Sequence, residues 1–366
     1  MPNEAIQRIG AGRYEVLVAA GLLDRLGPLM AASELADAAS YGIISDSNVA
    51  PLYAERVRAA LRDLGGRAEL FVVPAGEASK SRREWALVSD AMIARGLGRD
   101  SVVIALGGGV IGDLAGFVAA TFMRGVPVVQ IPTSLLGMVD ASIGGKTGVD
   151  TPAGKNLIGA FHWPALVAID PALLSTLPDA HWRAGFAEVI KHGAIADEGH
   201  FNDASALAPA LSRARADTLA TIIAHSVRIK AAIVASDERE AGPRRALNAG
   251  HTIAHAIEHT SRFVVPHGEA VSIGLVVEAT LGERLGVTAP GTAQALRTAL
   301  RSAGLPTAAP PDLAPSELIA ATRTDKKSRD GVVEYSLLAR IGAIDTAGGR
   351  YSRPAPPTLV EQALTA

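Results

Sequence analysis

The sequence predicts an α/β parallel-sheet domain over residues 1–178 followed by an all-α domain over 179–366, and three observations carry that prediction. The chain has 366 residues, which at about 150 residues per domain makes two domains. Up to Pro178, short β-branched apolar runs recur between amphipathic stretches. From Ala180 to about Leu300 the strand signal disappears, and apolar residues recur at three- and four-residue spacing.

In order, the strand-like runs are YEVLVAAG, YGIISD, LFVVPAG, VVIALGGG, VPVVQIPT and LVAID. Each is predominantly apolar and ends in Gly, Asp or Thr. Continuous apolar strands separated by helical segments belong to a parallel sheet covered on both faces. In the second half, AEVIKHGAIA and TLATIIAHSVRIKAAIVA read as helices. VVEYSLLAR (332–340) reads as one late strand, and the Ala/Pro-rich stretches 302–315 and 353–357 as loop or tail. No internal repeat is present.

Composition narrows the chemistry. With 48% hydrophobic and 20% charged residues, the chain buries a core and is not disordered. A net charge of −2 supplies no global field for nucleic acid or acidic lipid, so anionic ligands must be met by local basic clusters. The absence of cysteine excludes disulfides, thiolate metal sites and cysteine nucleophiles, leaving His, Asp and Glu as metal ligands. The start carries no secretory pattern, and the longest uncharged run, between Arg124 and Asp140, is too short and too rich in Gly and Pro to span a bilayer. A cytoplasmic location is expected.

The first chemical motif follows the fourth predicted strand. Gly107, Gly109 and Gly112 form G-x-G-x-x-G between a strand and a helix start, where glycines admit a pyrophosphate close to free N–H groups and the positive helix end. This is a Rossmann-like dinucleotide context. The acid expected about 20 residues on is replaced by Gln130. Either the nucleotide is held differently, with Asp46 at the end of YGIISD as substitute, or the glycines serve packing alone.

Residues 140–147, DASIGGKT, approach the P-loop pattern, but Asp140 stands where its first glycine belongs and no strand runs into it. A nucleoside-triphosphatase is disfavoured. Lys146, Lys155 and Asn156 remain in a stretch rich in turn formers, read as a loop that holds residues at an active site or is simply solvated.

Four of nine histidines, His251, His255, His259 and His267, crowd into seventeen residues. His251, His255, Glu258 and His259 lie at helical spacing, so two or more could meet one divalent cation. No glutamate follows the first histidine, so the zinc-protease H-E-x-x-H is not matched. Spacing leaves open which side chains donate. Glu188 and Lys191, at i and i+3, read by themselves as a surface ion pair. Lys230, Arg244 and the DKK segment add basic groups for a phosphorylated or carboxylated substrate.

Taken together, GGGVIGDLAGFVAATFMRG (107–125), VDASIGGKTGV (139–149), GKNLIGAF (154–161), AGFAEVIKHG (184–193), DEREAGPRRALNAGHTIAHAIEH (237–259), HGEAV (267–271) and TDKK (324–327) resemble the 3-dehydroquinate synthase family, in family order. The resemblance implies an NAD- and metal-dependent lyase of the shikimate pathway of aromatic amino acid biosynthesis. Such an enzyme converts 3-deoxy-D-arabino-heptulosonate 7-phosphate to 3-dehydroquinate and phosphate by transient oxidation, phosphate elimination, re-reduction, ring opening and aldol closure. It implies zinc or cobalt on Glu188, His251 and His267, with His255 in proton handling. It implies NAD contacts from Asp46, Glu77, Lys80, Gly108, Gly109, Val110, Ile111, Gly112, Asp113, Thr133, Ser134, Lys146, Lys155 and Thr176. Substrate and catalytic contacts fall on Arg124, Asp140, Lys146, Asn156, Lys191, Lys230, Arg244, Asn248, His255, Lys326 and Lys327. Family members are homodimers in which the arginine of the MRG segment, here Arg124, reaches the neighbouring site.

The chain departs from the family pattern at Ala249, Ile253 and Ala254, which carry no polar chemistry. The competing readings are a related cyclase similar to 2-epi-5-epi-valiolone synthase, a metal-dependent polyol dehydrogenase that would accumulate NADH, and a nucleotide-binding protein without chemistry.

Overall fold

The computed structural model describes residues 6–323 and 332–366, without the side chains of 211–213. By internal contacts these divide into two compact units, 1–177 with 215–227, and 178–214 with 228–366. Residues 215–227 therefore group with the sheet unit.

The strands of the first unit are β1 (Gln7–Gly10), β2 (Glu15–Val18), β3 (Ser40–Asp46), β4 (Arg67–Val73), β5 (Ser101–Gly107), β6 (Val128–Pro132), β7 (Lys146–Thr151), β8 (Gly154–Phe161) and β9 (Leu166–Ile169). Its helices are α1 (Leu26–Ala31), α2 (Ala50–Arg62), α3 (Arg82–Ala94) and α4 (Gly109–Thr121). Seven strands form one sheet in the order β1-β2-β9-β6-β5-β3-β4, parallel except for the β1–β2 hairpin at one edge. All six predicted strands are present. β5 is buried along its whole length, as a central strand covered on both faces must be. α3 starts on an N-cap serine: Ser81 Oγ accepts from the Glu84 N–H at 3.3 Å. Asp170, 1% exposed, follows β9 and accepts N–H groups of Gly21, Leu23 and Ala172, tying the β2 end to the sheet.

Along the chain β3 is followed by β4 on one side, and then β5 lies on the other side of β3. The succession reverses there, and in parallel sheets ligands settle at the carboxyl ends of the strands flanking such a reversal. Asp46 ends β3 and Gly107 ends β5.

The Lys146–Asn156 stretch, expected as a loop, is instead the antiparallel hairpin β7–β8. Its alternation is masked by glycines that the close pairing needs. A Cβ on Gly159 would stand 2.1 Å from the Thr147 carbonyl oxygen, and one on Gly148 2.6 Å from that of Ile158.

The second unit contains α5 (Asp179–Ala196) and α6 (Glu198–Leu207). α7 (Ala216–Ser236) begins in the first unit and ends in the second. Beyond it come α8 (His251–Thr260), α9 (His267–Arg284), α10 (Thr292–Ser302), α11 (Pro315–Arg323) and α12 (Pro357–Leu364). Four short strands, β10 (Glu334–Tyr335), β11 (Leu338–Arg340), β12 (Ala343–Ile344) and β13 (Arg353–Pro354), pair as β10–β13 and β11–β12. The single late strand expected at 332–340 is thus two, interrupted where Ser336 Oγ turns aside to the Arg245 carbonyl at 3.0 Å. The expected tail at 353–357 is ordered too: Pro357 opens α12, which buries Val360 and Ala363. Among described residues α7 alone is long and apolar enough to cross a membrane, but 56% of that stretch is buried within the fold.

Candidate active site

In the sheet unit, β5 ends at Gly107, Gly108 caps α4, and the Gly112 N–H makes an intrahelical bond to the Gly108 carbonyl at 3.0 Å. The N–H groups of Gly109, Val110 and Ile111 precede that bond at the positive end of a 13-residue helix, the arrangement that receives a pyrophosphate. The glycines also serve close packing. A Cβ on Gly112 would lie 2.9 Å from Gln130 Oε1, and the Gln130 amide donates to the Gly112 carbonyl at 3.0 Å. Gln130, standing where an acid was expected, is therefore a strut between β6 and α4.

Around this turn, Thr133 donates its N–H to the Gly107 carbonyl, and Ser134 Oγ accepts from Gly137. A Cβ on Gly108 would come 3.2 Å from Ser134 Oγ, so Ser134 packs directly on the loop. Asp46 Oδ1 caps the turn leading to α2, accepting from Asn48 and Val49 at 2.8 and 3.0 Å. Lys80 Nζ pairs with Asp113 Oδ2 at 2.5 Å, and Lys155 with Glu77 at 3.4 Å. Burial, opposed by Lys80 and reinforced by Glu77 and Asp140, holds the Asp113 carboxyl above the ordinary carboxylate range. Burial would lower Lys80, but the charge and hydrogen bond of Asp113, with the charges of Glu77 and Asp150, together outweigh it and hold the ammonium above its usual value. Thr176 Oγ1 shares a 2.7 Å hydrogen bond with the Tyr53 hydroxyl and donates to the Leu173 carbonyl at 3.3 Å.

Asp140 sits in the five-residue π-turn Gly137–Ala141, closed by the Ser142 N–H on the Gly137 carbonyl at 3.1 Å. Such turns re-aim side chains and recur at functional sites. In the hairpin, Lys146 pairs with Phe161, while Asn156, at φ 55°, donates its N–H to Asp150 Oδ1. Asn156 is thus level with Asp150, four residues or about 13 Å along the strand from Lys146. A shared grip on one anion would rest on side-chain reach from opposite ends of the hairpin. Met123, Arg124 and Gly125 follow one another at φ 51°, 70° and 115°. Arg124 is exposed on this strained turn and makes no hydrogen bond or ion pair among the described residues.

In the helical unit, α5 places Glu188 and Lys191 on its inner face. Glu188 is 0% and Lys191 1% exposed, with Nζ against Glu188 Oε2, so the expected surface pair is in fact wholly buried. Glu188 Oε1 accepts no hydrogen bond. It faces His251 Nε2, on the first residue of α8, and His267 Nε2, on the first residue of α9, each at 3.6 Å. A buried carboxylate oxygen without a donor, opposite two imidazole nitrogens, fits a divalent cation of the zinc class.

The other ring nitrogens are oriented in turn. His251 Nδ1 lies 3.2 Å from the Ala249 carbonyl, and His267 Nδ1 lies 3.5 Å from Glu258 Oε2. Glu258 therefore belongs behind His267, and His259 is exposed at the far end of α8, so neither is a ligand as helical spacing allowed. The His255 ring stands edge-on to His251 with centroids 5.6 Å apart.

Burial would raise the Glu188 carboxyl, but the charges of Lys191, His267 and His192 together hold it well below the usual range. Burial would lower His267, yet Glu188 and Glu258 push it up to about 10. A histidine raised from its unfolded value stabilises the fold below about pH 6.5 and ceases to do so as pH rises through the folded value. Metal-stripped protein is therefore expected to lose stability between about pH 6.5 and 10. Thermal melts compared with H267Q check this; equal pH slopes would contradict it.

Further along, Asp237 accepts N–H groups of Ala241, Gly242 and Arg244 and folds the 237–248 loop. Within it Arg244 is buried, donating to the Glu238 carbonyl at 2.7 Å, and Asn248 donates to Glu240 Oε1 at 2.7 Å. Glu240, which sequence reasoning missed, is held at φ 61° to do so. Lys230 is 6% exposed on α7. Lys326 and Lys327 lie outside the described residues.

Two family models match the chain: 3-dehydroquinate synthase N-terminal over residues 70–184 and 3-dehydroquinate synthase C-terminal over 185–328. A 3-dehydroquinate synthase of Symbiobacterium thermophilum is 44% identical over 337 residues, covering 92% of this chain and 94% of that protein. Among solved structures, 2-deoxy-scyllo-inosose synthase complexed with carbaglucose-6-phosphate, NAD+ and Co2+ superposes with a TM-score of 0.87 at 22% identity, over 98% and 99% of the two chains. A 2-epi-5-epi-valiolone synthase from Streptomyces hygroscopicus with NAD+ and Zn2+ bound does so at 0.84 and 29% identity, over 100% and 98%.

Proposed function

The chain belongs to the 3-dehydroquinate synthase family, and from that premise we propose that it converts 3-deoxy-D-arabino-heptulosonate 7-phosphate to 3-dehydroquinate and phosphate, with NAD and a divalent metal, in the cytoplasm. The observation that carries the reading is the buried, donorless Glu188 Oε1 facing His251 and His267, in a chain 44% identical to a 3-dehydroquinate synthase over nearly its full length. When bound, NAD supplies a reversible hydride acceptor and zinc or cobalt a Lewis acid.

The chain's own groups divide the remaining work. Glu188, His251 and His267 hold the cation, and Lys191 keeps Glu188 ionised inside the fold. The α4 N-terminus holds the pyrophosphate, with Asp46, Glu77, Lys80, Thr133, Ser134 and Lys155 around the nucleotide. Arg244 and Lys230 bind the substrate carboxylate, Asn248 a hydroxyl, and His255 moves a proton. Lys146, Asn156, Arg124, Lys326 and Lys327 serve the phosphate end, and Asp140 contacts the substrate elsewhere. Identity favours this substrate over that of the valiolone synthase, at 44% against 29%.

Incubation with metal, NAD and the heptulosonate phosphate should release one phosphate per substrate with no lasting NADH. Stoichiometric NADH would instead mark a polyol dehydrogenase, and NAD binding without phosphate release a mere binding protein.

We place the enzyme in a homodimer in which Arg124 serves the partner's site. Support comes from its exposed, strained turn and its lack of any partner among the described residues. An equal mixture of inactive R124A and E188Q proteins, refolded together, should regain about a quarter of parental activity, since half the dimers are mixed and each holds one complete site. No recovery would place Arg124 in its own protomer's site.

A further inference from the structure

We propose that Glu278, in the middle of α9, is the positioning residue that sets His251 against His267, by capping α8 from outside. The assignment rests on the metal site proposed above. α8 begins at His251 directly after Gly250, which lies at φ 79° and has no side chain to cap the helix. The first N–H groups of a helix lack intrahelical acceptors, and left buried each would cost free energy.

Glu278 meets two of them. Its Oε2 accepts the Gly250 N–H at 2.8 Å and its Oε1 the Ile253 N–H at 3.2 Å. In a capping box these two tasks fall to two residues of the same helix, the N-cap hydroxyl and a glutamate three residues on. Here one carboxylate, 2% exposed, performs both from a neighbouring helix. Its negative charge also opposes the positive end of α8.

The cap is coupled to the second ligand through α9. Residues 267, 274 and 278 recur at i, i+7 and i+11 and share one face of that helix. His267 opens the face. Gly274 gives it its closest approach, since a Cβ there would stand 1.9 Å from the Gly250 carbonyl oxygen. Glu278 then grips the backbone on both sides of His251. One rigid element thus carries one ligand and clamps the turn bearing the other, whose rings lie 5.5 Å apart. A ligand set spread over separate helices needs such a clamp, because metal affinity depends on nitrogens held in place beforehand.

The test compares two caps made by the same helix. Glu283, also on α9, accepts the Ala293 N–H at 2.9 Å and caps α10, which carries no proposed ligand. Titrating Co2+ into metal-stripped parent, E278Q and E283Q, and following the visible cobalt band, should show Co2+ affinity weakened about 10–100-fold and an altered band for E278Q alone. NAD affinity should be unchanged in all three. Unaltered Co2+ binding by E278Q, or equal weakening by E283Q, would overturn the assignment. If E278Q does not fold, E278D, one methylene shorter, carries the same expectation. A parent that binds no Co2+ would defeat the metal site itself and this assignment with it, whereas tight parental binding isolates the role of Glu278.

Discussion

Replacing Glu188 with Gln is expected to abolish divalent-metal binding and lower turnover by more than the roughly 100-fold typical of losing a residue behind a ligand, while NAD still binds. The amide keeps the shape of the carboxylate but not its charge, and Oε1 is the atom that faces both imidazoles. The same change leaves Lys191 as an uncompensated ammonium in a site 1% exposed. Breaking one side of a buried ion pair costs about 3–5 kcal/mol, so the melting temperature should fall as well. The double variant E188Q/K191M separates the two effects: stability should return and metal binding should not. Retention of metal by E188Q, measured on dialysed protein, would remove Glu188 from the site.

Gly274→Ala should be among the most damaging single-methyl additions in the chain. The new Cβ would meet the Gly250 carbonyl oxygen at 1.9 Å and its carbon at 2.9 Å, backbone atoms that cannot rotate away. Overpacking of this kind costs about 1–3 kcal/mol or more. Because Gly250 precedes His251, separation of α8 from α9 would also move His251 from His267, the two proposed ligands on those helices. Gly10→Ala, where the added atom has nothing within 4 Å, should stay within about 0.5 kcal/mol of the parent. Denaturant midpoints decide, and a neutral Gly274→Ala would mean the helices can part without consequence.

Some of this is legible in the chain alone. The six strands could be found because each is a predominantly apolar run bounded by turn formers, which is a local property. The glycine turn could be found for the same reason, though its companion Gln130 makes a packing strut that no motif describes. The β7–β8 hairpin escaped because Gly148 and Gly159 interrupt its alternation, and they are there for a close approach visible only across the pair.

The helical half was harder. Helical spacing singled out His255, Glu258 and His259 beside His251, whereas the structure sets Glu258 behind His267 and His259 in solvent. The Glu188–Lys191 spacing pointed to a surface pair, and only burial shows otherwise. Family resemblance supplied Glu188, His251 and His267 together. Glu240 and Glu278 carried no signal in spacing, since each acts on groups brought to it by a loop or a crossing helix.

The sequence by itself determined the two-part plan, the parallel sheet, the glycine-rich helix start and the restriction of any metal site to oxygen and imidazole donors. These follow from neighbours in the chain, where hydrophobic periodicity and residue type act within a few positions. The tertiary structure decided what spacing left open: that His251 and His267 face Glu188, that its ion pair with Lys191 is dry, and that one glutamate clamps α8 to α9. Those depend on residues far apart in sequence converging through helix packing, and on the loss of water that makes a lone carboxylate oxygen costly unless a cation or donor meets it.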